Sequence, residues 1–293
     1  MALVVDRAQA LSTGLTAREV DARVRSGRWI VLRRGVYLTQ PALPSDPAHR
    51  HACLVAAAVL ATSTPCVGSH TSAALVHGLP LLRRPSGPPV LTRAPGTPGN
   101  EVARRVADVP PEHCCLVLGA PVTTLARTAV DLARTGTAMD AVVVLDAVLG
   151  RIPRSELDPV LDLQRGWPGS ARARGRVARA DGRAESALES VSRLQFARLG
   201  LPAPELQVVL PLPGGGTARV DFLWRAHRTV GEADGRAKYG RPEDLWSEKR
   251  REDALRDSGL EVFRFGWSEA FHRPEVLRDR ALRAFARAGR RAA

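Results

Sequence analysis

The chain has 293 residues, 43 Lys and Arg against 30 Asp and Glu, a formal net charge of +13, and 44% hydrophobic residues. That length exceeds the usual single domain and predicts two or three units with true cores. The Arg-dominated excess suits bidentate phosphate contacts and points toward a nucleic-acid partner, though a composition biased toward Arg and Ala gives the same excess.

Four cysteines, Cys53, Cys66, Cys114 and Cys115, form no C-x-x-C pair and no zinc spacing, so reduced thiols in a cytoplasmic protein are expected. MALVVDRAQA has neither the basic region nor the apolar run of a signal peptide. The apolar stretches 53–61 and 141–149 are too short to span a bilayer, so no membrane partner is expected.

The elements begin with a helix whose N-cap is Thr16 and whose capping box is completed by Glu19; it ends at Ser26-Gly27. Strand, turn and strand follow at 29–32, 33–35 and 36–38. A helix followed at once by a basic hairpin predicts a winged helix-turn-helix over 1–40. Arg18, Arg23 and Arg25 on the helix and Arg33 and Arg34 on the wing are its candidate DNA contacts. Only Asp6 to Leu11 precedes that helix, so a first helix is not expected. The stretch GLTAREVDARVRSGRWIVLRRGVYL resembles the amino-terminal domain of AbiEi-type antitoxins, the antitoxin half of a type IV toxin–antitoxin system. That resemblance implies promoter binding and a cognate nucleotidyltransferase-like toxin as partner.

After prolines at 41, 44 and 47, a central α/β region is predicted over 46–150, with helices at 49–61, 69–76, 124–134 and 139–149 and a strand at 114–118. GSHTSAALVHGLP and TTLARTAVDLAR resemble the central part of AbiEi-like proteins, with no chemistry implied. His70 and His77 lack the i, i+4 spacing of a metal pair and read as packing or surface histidines. The stretch 164–183, with Arg165, Arg172, Arg174, Arg176, Arg179 and Arg183, reads as a linker, either a phosphate-contacting arm or a solvated spacer.

From Ala184 onward the pattern is α-β-β-β-α-β, which predicts a mixed sheet flanked by helices over 184–293. Asp221 interrupts the apolar strand RVDFLW, where an unpaired carboxylate is costly. Glu232 ends the next strand, and period two places Asp234 on the same face. Asp234-Gly235 also reads as a simple turn. Three carboxylates at adjoining strand ends repel one another unless a hard cation, Mg²⁺ or Mn²⁺, joins them. Such an ion polarises a phosphate and activates water, which is the physical case for phosphodiester hydrolysis.

ARVDFLWRAHRTVGEADGRAKYG followed by LWSEKRREDALRDSGLEVFRF resembles the very short patch repair endonucleases, a branch of the PD-(D/E)XK nucleases. The resemblance covers about 184–267. It implies a restriction-endonuclease-like fold with Asp221 and Glu232 as the motif acids and Glu185 or Glu189 as a helix acid. Asp234 stands where the motif places Lys; Lys238, where many relatives carry His, is the candidate migrated lysine. Gln207 is expected to face the same site, and Glu248, Lys249, Arg251 and Glu252 to be a solvated helix face with i, i+4 pairs. Two functions follow: a DNA-acting, metal-dependent endonuclease in defence or repair, or a non-enzymatic AbiEi-like regulator whose tail keeps the fold without turnover.

Overall fold

The computed structural model describes residues 3–97, 105–213, 215–235 and 242–292, with side chains of 242–248 and 292 outside the description. The chain divides into two compact units: Met1–Val148 with Ile152–Arg179, and Leu149–Arg151 with Ala180–Ala293. Both mix helices with sheets, as the patterning predicts. No helix among the described residues is long and apolar enough to cross a membrane.

The first unit opens with strand β1 (Val4–Asp6), helices α1 (Arg7–Ser12) and α2 (Ala17–Arg25), and strands β2 (Ile30–Arg33) and β3 (Val36–Leu38). The strands form an antiparallel sheet in the order β1-β3-β2. The Thr16–Glu19 capping box forms as predicted, with Thr16 N–H donating to Glu19 Oε2 at 2.7 Å and Glu19 N–H to Thr16 Oγ1 at 3.3 Å. Gly35, at φ 72°, supplies the left-handed residue of the Arg34-Gly35 turn.

Helix α1 corrects the expectation that no helix precedes α2. Six residues suffice because Asp6 and Gln9 make a second capping box, at 2.7 and 3.0 Å. Arg7 then ties α1 to Asp21 at 3.0 Å and to the Tyr37 hydroxyl at 3.1 Å.

Helix α3 (Pro47–Leu60), strand β4 (Cys66–Gly68), helix α4 (His70–Val76) and strands β5 (Leu91–Arg93), β6 (Arg105–Val106), β7 (Cys114–Val117) and β8 (Ala120–Thr123) follow. They build a mixed sheet in the order β6-β5-β4-β8-β7. Val4, Val36 and Leu38 share one core with Ala52, Val55, Leu91 and Val122. The amino-terminal sheet, read from sequence as a module ending at 40, is thus packed into the region that begins at 46.

Helices α5 (Leu125–Thr135), α6 (Ala138–Leu149), α7 (Asp158–Leu163) and α8 (Ser170–Arg179) complete the unit. Helix α8 corrects the reading of 164–183 as a linker. Ala173 and Val177, one turn apart, are buried. Arg176 donates to the carbonyls of Ala133 and Gly136 at 2.7 and 2.8 Å, and Arg172 to that of Arg134. These arginines satisfy carbonyls at the end of α5, where cations are favoured.

The second unit contains helix α9 (Ala187–Arg198), strands β9 (Glu205–Pro211), β10 (Thr217–Trp224) and β11 (Thr229–Ala233), helix α10 (Pro242–Asp257), strand β12 (Glu261–Phe265) and helix α11 (Pro274–Ala292). The sheet order is β12-β11-β10-β9; only β11 and β12 are parallel, with α10 as the crossover. Ala218, Val220, Leu223, Val230 and Val262 pack with Leu255 of α10. A second, aromatic cluster joins Phe222 and Trp224 to Phe196 of α9, Phe263 and Phe265 of β12, and Phe285 of α11. Gly231 is required there: a Cβ would lie 3.0 Å from the Trp224 ring and 3.2 Å from that of Phe263. Helix α9 and the middle strands thereby meet around the polar cluster described next.

Candidate functional site

Three elements bring acids together in the second unit. Ser186 is the N-cap of α9, and its hydroxyl donates to Glu189 Oε1 at 2.7 Å, while the Glu185 N–H donates to Oε2 at 3.0 Å. Glu189 is therefore a first-turn acid held in place from below, and it is buried. Gln207 of β9 opposes Asp221 of β10, between the pairs Val208–Val220 and Leu206–Phe222. Its Nε2 donates to Glu189 Oε2 at 2.8 Å and to Asp221 Oδ1 at 3.2 Å. Asp221 Oδ2 accepts from the Ala233 N–H at 2.8 Å, which fixes it to β11. Glu232, on that strand, is 5% exposed and within hydrogen-bonding reach of Asp221.

Gln207 has φ 52°, a left-handed backbone that costs a non-glycine residue on the order of 1–3 kcal/mol. Its Oε1 is buried with no hydrogen-bond partner among the described residues. A strained backbone and an unsatisfied oxygen thus coincide at the point where Glu189 and Asp221 meet.

Burial, followed by the negative charge of Asp221, raises the Glu232 pKa to about 8, against the opposing pull of Arg251 and Arg264. Burial also raises Glu189, with Asp221 adding to the rise and hydrogen bonds from Glu185, Ser186 and Gln207 opposing it. At neutral pH Glu232 consequently holds its proton.

Glu189, Asp221 and Glu232 are thus gathered, with Gln207 as the link. Asp234 and Glu185 have other partners. Arg264 Nη1 donates to Asp234 Oδ1 at 3.2 Å, and its Nε to Glu252 at 3.0 Å. Arg219 holds Glu185 through two bonds of 2.7 and 2.6 Å at a largely exposed position. Lys238 lies outside the described residues.

The expected solvated face with i, i+4 pairs holds for exposed Lys249 and for the Glu252–Arg256 pair, but is corrected for the longer-range partners of Arg251 and Glu252. Arg251 reaches Glu232 Oε1 at 2.9 Å and also donates to the Arg219 carbonyl, while Glu252 is paired with Arg264. Buried carboxylates draw in counter-charges from the crossover helix. The alternation of acids and bases on α10 is compatible with either arrangement, so local spacing did not reveal it.

In the first unit, α2 and the β2–β3 hairpin pack through Val20, Trp29 and Tyr37. Arg18, Arg25 and Arg34 are exposed and Arg33 is half-buried. Arg23 lies over the Trp29 ring at 5.3 Å, which orders its guanidinium beside the helix.

No family model matches the chain. It is similar to two relatives from strains of Mycobacterium tuberculosis, "Uncharacterized protein Rv2248" and "Uncharacterized protein MT2308". Each is 32% identical over 283 residues, covering 94% of this chain and 98% of the relative. The chain belongs to the Rv2248 family. A solved structure, the RV2827C protein from Mycobacterium tuberculosis, is similar at TM-score 0.39 and 19% identity over 60% of this chain and 71% of that one. This level of likeness carries no assignment.

In this Rv2248 family member the gathered donors are all hard oxygens, suited to Mg²⁺ or Mn²⁺ rather than to a soft metal. Among the described residues no three His, Cys, Asp or Glu side chains form a ready cage. Magnesium commonly needs none: one or two carboxylates suffice, with water and phosphate oxygens completing the shell. The Asp221 and Glu232 carboxyl groups in their ionised form, with the orphaned Gln207 oxygen, are the kind of donors an oxygen-seeking cation takes.

Proposed function

We propose that the protein is a DNA-binding, metal-dependent endonuclease acting on phosphodiester bonds in defence or repair, in the cytoplasm. In this reading the second unit is a nuclease domain of the PD-(D/E)XK type. Residues 1–40 are a winged helix-turn-helix resembling that of AbiEi antitoxins, which positions the chain on DNA. The observation that carries the reading is the pairing of half-buried Asp221 with buried Glu232, joined through Gln207 to Glu189.

Asp221 and Glu232 would hold the cation. When bound, it supplies Lewis-acid polarisation of the phosphate and a more acidic water. Glu189 and Gln207 orient the Asp221 carboxylate, and the Ala233 N–H fixes its second oxygen. Arg251 places a guanidinium at Glu232, suited in fork geometry to a non-bridging phosphate oxygen. Glu232 would hold the cation as its carboxylate, its proton lost to solvent. Lys238 is proposed from the motif alone to stabilise charge at the phosphorus. Asp234, in this scheme, anchors Arg264 and supports the site from behind.

A second reading is favoured by those arginines. Arg251 and Arg264 pair with Glu232 and Asp234, which gives both acids cationic partners without metal, as expected of a non-enzymatic AbiEi-like regulator paired with a nucleotidyltransferase-like toxin. A nicking assay on single-stranded, duplex and mismatched DNA with Mn²⁺, run beside thermal melts, separates the two. The nuclease reading expects cleavage and a metal-dependent rise in melting temperature, both lost in Asp221→Asn. A wild type showing neither selects the regulator. Undiminished cleavage by Asp221→Asn would place the active site elsewhere.

A further inference from the structure

The first unit holds a cavity of about 610 Å³ whose walls include His70, Thr92, Arg105, Asp108, Arg134 and Trp167. That volume is typical of sites for small molecules. One wall is a chain of hydrogen bonds. Thr92 Oγ1 and Ser69 Oγ are 2.8 Å apart, and Ser69 Oγ and His70 Nδ1 are 3.0 Å apart. When Thr92 donates to Ser69 and Ser69 to Nδ1, the imidazole proton sits on Nε2. Nε2 is buried and has no partner among the described residues. His70 itself is 4% exposed and holds φ 52°, a conformation that a non-glycine residue keeps only where its surroundings dictate it. Burial, opposed by the charge of Asp131 and aided by those of Arg105, Arg134 and Arg127, brings its pKa to about 4, so the ring is a neutral donor.

The remaining walls carry positive charge in excess. Arg105 is exposed and pairs with no carboxylate among the described residues. Arg134 is nearly buried; it donates to the Gln164 side chain at 3.2 Å and the Pro168 carbonyl at 3.0 Å. Its nearest carboxylate, Asp131, is 3.8 Å away and already bonded to Arg127 at 3.0 Å. Trp167 lies 5.3 Å from the Arg134 guanidinium and 5.4 Å from that of Arg127, which holds both in place. Asp108 is the acid in the lining.

We propose that this cavity binds a small phosphate monoester of up to nucleotide size, with its phosphate on Arg105 and Arg134 and one acceptor on His70 Nε2–H. Two guanidinium groups match a phosphate dianion in charge and in fork geometry, whereas a monocarboxylate leaves one unmatched. A neutral imidazole donor adds a directed bond with no charge to screen. The site is independent of the acid cluster in the second unit.

The test is calorimetric titration of the full chain with AMP, ribose 5-phosphate and succinate at physiological salt. The expected result is one saturable site for at least one phosphate ester, with succinate about tenfold weaker or more. Arg105→Gln should weaken that site by about tenfold or more without moving the melting temperature, because Arg105 is exposed and has no carboxylate partner among the described residues. Asp221→Asn should bind as the wild type does, which separates this cavity from the acid cluster. No binding of either ester at millimolar concentration overturns the proposal. So does non-saturating binding at many sites, equal affinity for succinate, or affinity unchanged in Arg105→Gln.

Discussion

Asp131 is a buried carboxylate of the first unit that holds two partners, and removing its charge tests the reasoning. The Arg127 side chain is fully buried and that of Asp131 is 2% exposed; they meet at 3.0 Å. Gln164 donates to the other Asp131 oxygen at 2.8 Å. Arg127 Nη1 donates to the Asp108 carbonyl at 2.8 Å, but Nη2 has no partner among the described residues. Asp131→Asn keeps the shape and leaves a buried guanidinium without its counter-charge. Breaking such a pair from one side costs about 3–5 kcal/mol. The asparagine oxygen still accepts one bond, which argues for the low end, near 3 kcal/mol. Hydrogen exchange across 125–135, followed by mass spectrometry, reads this locally and is unaffected by how the second unit unfolds. About 3 kcal/mol corresponds to roughly hundredfold faster exchange where opening is global. Arg127→Met combined with Asp131→Leu removes both charges and should recover a large part of the protection. High salt should leave the wild-type protection nearly unchanged, because the pair is shielded from solvent ions. Exchange in Asp131→Asn within about threefold of wild type would show that the pair is not desolvated as described.

Further outcomes follow from other sites. The folded Glu232 pKa of about 8 lies above its ordinary 4.5, so the folded state holds the extra proton between those values and metal-free stability should fall as pH rises across that window. The fall is up to about 5 kcal/mol at most, and denaturant unfolding in EDTA should show a flatter pH dependence for Glu232→Gln; parallel curves would contradict it. Gly231→Ala forces a methyl against Trp224 and Phe263, and should lower stability by about 1–3 kcal/mol in a thermal melt. If the amino-terminal hairpin contacts DNA, Arg33→Ala with Arg34→Ala should weaken duplex binding and reduce the salt slope by about 1–2, measured by fluorescence anisotropy across salt concentrations. An unchanged slope would confine the hairpin to a structural role.

Local signals were legible in the sequence. Thr16 and Glu19 lie three residues apart, and nothing distant is needed for them to cap α2. Asp221 stood out because its neighbours Val220 and Phe222 are core residues and it is not. Period-two alternation placed Asp234 on the Glu232 face, but it could not supply Arg264, thirty positions along the chain, as Asp234's partner. The same limit hid Arg251 from Glu232 and Arg219 from Glu185. Helix α8 was missed because its four arginines alternate with small residues and leave no clear apolar stripe. Only Ala173 and Val177 mark its inner face, and the carbonyls that engage its guanidinium groups belong to α5. The Asp6–Gln9 box was visible in principle, with the same spacing as Thr16–Glu19, but so short a helix carries almost no periodicity of its own.

The shared core of β1, β3 and α3 bears on how such a protein can be rearranged during evolution. Val4, Val36 and Leu38 have their apolar neighbours beyond residue 46, in Ala52, Val55 and Ala56. A gene break in the proline-marked turn near 41–46 would look harmless on the page. It would strip the sheet of its hydrophobic floor and leave α3 with a bare apolar flank. The smallest heritable block that carries the basic hairpin therefore extends at least through α3. The first forty residues cannot travel alone.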